Sequence, residues 1–217
     1  MKRIYILISI ILINTIAADY EPYESSYEPL PYTNTIFKNA NIYDGDGKEF
    51  IETDIIIQDG KIIAIGKELP GSNELITVDA TGKWITPGII DIHSHMGVYP
   101  APSVKTSSDG NEATSPVTAD VWAEHSIWTQ DPQFALALKG GVTTFHVLPG
   151  SANLIGGRGV TAKNLQRNTV NSMKFPDAPH SLKMACGENP KRVYGNRGQA
   201  PSTRMGNIAG YRKSWIR

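Results

Sequence analysis

Pro87-Gly88-Ile89-Ile90-Asp91-Ile92-His93-Ser94-His95 is the stretch on which the reading of this chain turns. A short apolar run after a Pro-Gly break predicts a strand buried in a parallel sheet. Side chains alternate along a strand, so His93 and His95 share a face, with Asp91 one pleat deeper on that face. Two adjacent imidazoles are good ligands for zinc or a similar divalent ion, and a carboxylate beneath them can orient one ring through its N–H. Two histidines do not complete a catalytic zinc site, which takes three protein ligands and a water.

Downstream, Asp131 is placed to cap a helix with Pro132 at its first position, running through Phe134, Leu136 and Leu138 to a stop at Gly140. Val142 to Leu148 predicts a second buried strand, and Ser181 to Cys186 a third after the Pro176-Asp177-Ala178-Pro179 break. Strand, helix, strand and a further strand open a parallel α/β array. Met96 to Asp120 is a long loop, of a length that is uncommon unless the loop serves a site or is disordered. Upstream, residues 35–86 predict a small β domain of short strands: Ile36–Tyr43, Ile55–Gln58, Lys61–Ile65, Leu75–Val78 and Trp84-Ile85. Asp59-Gly60 suits a two-residue type I′ hairpin. No ionisable constellation stands out there, which gives that domain a structural job.

Residues 1–18 follow the pattern of a secretory signal peptide: Lys2 and Arg3, an apolar run from Ile4 to Ile16, and small Ala17-Ala18. A spanning helix takes roughly 20 apolar residues, so the expectation is export to the secretory lumen or outside, with no stable membrane span. Residues 19–34, with Tyr-Glu-Pro at Tyr20 and again at Tyr27, read as an extended linker. Across all 217 residues, 21 Lys and Arg balance 21 Asp and Glu. That neutrality excludes a nucleic-acid partner, which needs a basic excess to replace counterions. It leaves a small-molecule substrate and, among proteins, self-association. Cys186 is the only cysteine, so no intrachain disulfide exists, and it reads as an inert buried thiol.

Other features weigh less. Gly156-Gly157-Arg158-Gly159 reads as a loop beside the site, with Arg158 a candidate substrate contact. His125 and His180 read as packing or surface residues, and His146 as a structural strand histidine. No Gly-x-Ser-x-Gly elbow marks a serine hydrolase.

Several blocks together resemble a family. The Pro87-to-His95 stretch, preceded by Asp59-Gly60-Lys61-Ile62, resembles the amidohydrolase superfamily, and Gly140-Gly141-Val142-Thr143-Thr144 resembles its step from helix to second strand. Val147 to Gly157 and Gly187-Glu188-Asn189-Pro190-Lys191-Arg192-Val193-Tyr194-Gly195 resemble its imidazolonepropionase-related branch. The resemblance covers residues 35 to 217. It implies an α/β fold, a (β/α)₈ barrel preceded by a small β-sandwich, and a metal-dependent hydrolase of non-peptide carbon–nitrogen bonds in cyclic amides, amidines or similar small substrates.

In that comparison His93 and His95 match the metal ligands of the first strand, Glu188 matches a metal-binding carboxylate, and Asp91 supports the ligands from behind. Zinc is the implied ion, with iron or manganese as alternatives. A complete barrel takes about 250 residues, and residues 87–217 hold about three of its strands. The expectation is therefore an incomplete barrel, with further histidines and the catalytic aspartate beyond Arg217 and the chain alone inactive. The segment Tyr211 to Arg217 reads as the start of a helix. The rival reading is a non-catalytic relative that binds or scaffolds.

Overall fold

The structure, a computed structural model, describes residues 23–216. The expected signal peptide, residues 1–18, and residues 19–22 of the expected linker lie outside them. Two sheets are present among the described residues. The first is built from β1 (Thr35–Tyr43), β2 (Glu49–Gln58), β3 (Lys61–Gly66), β4 (Ile76–Asp79) and β5 (Trp84–Ile85). Its order is β3-β2-β1-β4, with β5 also on β1. Among the described residues it is one five-stranded sheet, not the two layers of a sandwich.

The β2–β3 hairpin turns at Asp59 and Gly60, with φ of 49° and 72°, the left-handed pair that a type I′ turn requires. Ala40, Ile42, Ile55 and Ala80 form the buried centre of this sheet, with Phe37, Phe50 and Ile85 against it. Beside it lies a polar anchor that the sequence did not announce. Buried Asp54 accepts from Lys38 Nζ at 2.5 Å and from the backbone N–H of Asn39 and Leu69 at 2.8 and 3.0 Å.

The second sheet holds β6 (Ile89–Ser94), β7 (Val142–Val147), β8 (Ile155–Lys163) and β9 (Ser181–Met184), in that order. β6 and β7 run parallel, while β8 is antiparallel to both β7 and β9. The third strand expected beside β7 is therefore displaced by a reversed strand. That strand contains the Gly156-to-Gly159 stretch read as a loop. Its glycines serve close passage rather than flexibility: a Cβ at Gly159 would lie 2.6 Å from Ser181 Oγ and 2.8 Å from His146 Nε2.

α1 (Pro132–Lys139) joins β6 to β7 and is capped as expected, with Asp131 accepting from Gln133 N. Phe134 of α1 stacks on Phe145 of β7 at 5.1 Å. Both sit in a core with Val98, Ala123, Val147, Val160, Ala162 and Met173. Two further helices follow, α2 (Glu188–Gly195) and α3 (Arg204–Trp215). α3 begins seven residues before the helix start read at Tyr211, because Thr203 caps it by accepting from Gly206 N at 3.0 Å.

β6 is not buried. Ile89, Ile90 and Ile92 are 53, 63 and 77% exposed. The strand stands at the edge of its sheet, with β7 as its only strand neighbour among the described residues. Residues 23–34 carry no helix or strand, yet they dock. Ser25 Oγ donates to Lys174 O at 2.8 Å and Ser26 N to Asn171 O at 3.0 Å. At the other end Asn34 Oδ1 accepts from Asp59 N at 3.0 Å. No helix among the described residues is long and apolar enough to cross a membrane.

Candidate metal centre

His93 is the penultimate residue of β6, which ends at Ser94, and His95 follows the strand directly. Their rings meet edge to face with centroids 5.2 Å apart. Ser94 O accepts from Leu148 N at 3.0 Å, tying the carboxyl ends of β6 and β7 together. Leu148 then returns a bond: its carbonyl lies 2.8 Å from His95 Nδ1. A carbonyl only accepts, so Nδ1 carries the proton and Nε2 keeps its lone pair for an ion. Burial pushes the His95 pKa below the usual imidazole range. The Leu148 hydrogen bond pulls it back up, and the neighbouring Lys183 and His93 charges push it down again.

The orienting group is thus Leu148 O and not Asp91. Asp91 Oδ1 accepts from the backbone N–H of His93 at 3.0 Å. The β6–β7 ladder shifts register between Asp91 and Ser94, which breaks the simple alternation assumed from the sequence. Lys183 on β9 enters instead, its Nζ 3.2 Å from His93 Nε2. Lys183 lies opposite Gly157 in the β8–β9 ladder, and burial lowers its pKa. The sequence signal for it was only its alternation with Ser181.

Glu188 opens α2, and among the described residues no three His, Cys, Asp or Glu side chains form a group that would hold a metal. The donors present fit the first two ligands of a divalent ion: two imidazoles, one with its tautomer fixed. Glu188 does not join them. Arg158 lies on β8 with its guanidinium 4.6 Å over the Trp122 ring, and it does not line the cavity next to His95.

His146 acts as a cross-strand tie. Its Nδ1 lies 2.9 Å from Thr161 Oγ1 on β8 and its Nε2 2.6 Å from Ser181 Oγ on β9. Burial lowers its pKa, and the charges of His180 and His93 lower it further. His125 meets the Tyr23 ring edge to face, and His180 meets Trp122 in the same way. Cys186 is exposed, not buried.

A cavity of about 240 Å³ opens beside His95, walled by Tyr99, Asn111, Gly150, Ser151, Asn189 and Arg192 among others. The stretch from Met96 to Asp120 supplies Tyr99 and Asn111 to the wall of this cavity.

No family profile matches the chain. It is 34% identical over 202 residues to "Amidohydrolase tasK" of Hapsidospora irregularis, covering 88% of this chain and 20% of that protein. It is 41% identical over 63 residues to a dihydroorotase of Ligilactobacillus salivarius, covering 28% of this chain and 14% of that one. Among solved structures, an amidohydrolase from Thermotoga maritima matches with a TM-score of 0.75 and 42% identity, covering 82% of this chain and 46% of that chain. The chain therefore spans a fifth or less of these two relatives' length and under half of the matched structure.

Proposed function

Because the chain belongs to the amidohydrolase superfamily and matches only part of its members' length, we propose that it carries the first ligands of a metal-dependent hydrolase acting on a non-peptide carbon–nitrogen bond. The observation that carries this reading is the His93–His95 pair, with His95 Nδ1 held by Leu148 O and its Nε2 left to ligate. The full fold in this proposal is a (β/α)₈ barrel with a small β layer, of which residues 87–217 are the beginning. The imidazolonepropionase-related branch is part of the same proposal, as is zinc ahead of iron or manganese.

When bound, a divalent ion supplies a hydroxide near neutral pH and polarises the carbonyl or amidine under attack. The residues here hold and orient. Leu148 O fixes the His95 tautomer, the Asp91 carboxylate holds the backbone at His93, and Lys183 places a cation against the His93 ring. Two imidazoles fall short of the three protein ligands that a catalytic zinc takes. The 217 residues alone are accordingly read as metal-binding and inactive, with the aspartate that would move protons supplied by further chain. Export by residues 1–18 belongs to the proposal as well; a secreted product beginning at Asp19 is its expected mark.

Zinc titration of the purified chain by calorimetry tests the reading. One ion per chain is expected. His95→Ala and His93→Ala should each weaken binding at least 10-fold with the far-UV circular dichroism unchanged. Unaltered zinc affinity in both variants would overturn it and favour the non-catalytic relative.

A further inference from the structure

Lys183 ends on an unusual partner for a lysine. Lys38 and Lys174 each end on a carboxylate, that of Asp54 and that of Glu124. Lys183 is half-buried and meets no carboxylate among the described residues; its Nζ stops 3.2 Å from His93 Nε2. An ammonium has three donors and no acceptor, so the ring nitrogen supplies the lone pair. A neutral imidazole has one such nitrogen. With Nε2 engaged, Nδ1 carries the proton and His93 has no lone pair left for an ion.

The placement of Lys183 is built into the sheet. β6 and β9 lie three strand positions apart, which is about 14 Å across a flat sheet. Their side chains meet because the sheet curls and β9 is tied inward. Ser181 and Lys183 share the half-buried face of β9, while Leu182 and Met184 are exposed on the other. Ser181 Oγ lies 2.6 Å from His146 Nε2, so it reaches across β8 to β7. Gly159 leaves that passage open, since a Cβ there would lie 2.6 Å from Ser181 Oγ. The other nitrogen of His146 is held at 2.9 Å by Thr161 Oγ1. Strand β9 is thereby fixed two residues before Lys183. Gly157, opposite Lys183 in the ladder, has no side chain to turn it aside.

We propose that Lys183 is a resident competitor at the candidate metal centre. Its ammonium holds the His93 lone pair until a divalent ion displaces it, and Ser181 and His146 are the residues that position it. The inference rests on the hydrolase reading, in which His93 is a ligand, and adds a control on the loading of that site. Displacement takes no proton transfer: the ammonium keeps its charge and swings toward water on its flexible four-carbon stem. The two imidazoles are then unequal. His95 is open, because Leu148 O holds its Nδ1 and leaves Nε2 free, whereas His93 is guarded.

Calorimetric titration with zinc alone tests this on the parent chain, Lys183→Met and Lys183→Arg. Lys183→Met keeps the apolar stem and removes the competitor, so zinc should bind at least 10-fold more tightly. Lys183→Arg restores a cationic donor and should stay within about 3-fold of the parent. Ser181→Ala should tighten binding about 3-fold in the parent and change nothing in the Lys183→Met background, because it acts through Lys183. In the parent, zinc saturation should also raise the acetylation of Lys183 by acetic anhydride, read by peptide mapping. Should Lys183→Met lose the circular dichroism of the parent, Lys183→Leu carries the comparison. Zinc affinity that is unchanged or weaker in the folded variant would overturn the competitor. An equal effect of Ser181→Ala in both backgrounds would overturn the positioning role. Zinc binding that is lost in His93→Ala yet indifferent to Lys183→Met sinks the competitor alone. Absence of zinc binding in both the parent and Lys183→Met sinks the hydrolase reading, and the competitor with it.

Discussion

His95 and His146 show how a single side chain takes its role from its surroundings. Both are half-buried and both have lowered pKa values, burial being the largest cause. The folded state then binds fewer protons than the unfolded state as pH drops below the ordinary imidazole value of about 6.5. Stability is fully present above that pH and is lost as pH falls through the lowered folded values. Thermal unfolding in chelator at pH 7.5 and at pH 5.5 should show the midpoint falling with acid. His146→Gln, which cannot titrate and whose amide still reaches hydroxyl partners, should reduce that fall. An equal fall in parent and variant would show that His146 does not contribute. Lys183 teaches the complementary point: nothing near it in the sequence names His93, 90 positions away, and only the curl of the second sheet brings them together.

At the scale of elements, local chemistry predicted what local chemistry controls. The Asp59-Gly60 turn and the Asp131-capped helix α1 follow from φ preferences and a side-chain cap. Strand β8 was not legible because glycines at 156, 157 and 159 read as loop, while their use depends on neighbours remote in sequence. Asp131 reaches beyond its helix: it also accepts from Gly97 N at 2.8 Å, two residues after His95, and is 2% exposed. Asp131→Ala removes the cap and leaves a buried N–H without a partner. The expected cost is about 3 kcal/mol in urea unfolding, from about 1 for the cap and about 2 for the N–H. Asp131→Asn, still able to cap, should lose less than half of that.

On the scale of the whole molecule, the segment read as a linker is a strap that touches both sheets. Tyr32 packs against the β2–β3 turn, so that a Cβ on Gly60 would lie 2.2 Å from its ring. At the other end the segment covers an ion pair between Lys174 and Glu124, 2.8 Å apart, with side chains 7 and 2% exposed. Lys174 also donates to Tyr23 O. Lys174→Met strands a buried carboxylate and should cost about 3 kcal/mol, whereas pairing it with Glu124→Leu should recover much of the loss, since isolated buried charges are worse than none. Urea unfolding of the single and double variants measures this. By itself the sequence determined the strand that carries His93 and leads into His95, the capped helix behind it and the hairpin of the first sheet. Each of these depends on residues within a few positions of one another. Only the tertiary structure decided that Leu148 O and not Asp91 orients His95, that Lys183 and not Glu188 approaches the pair, and that Arg192 and not Arg158 walls the adjoining cavity. Those contacts depend on how the strands order and curl, which spacing along the chain does not encode.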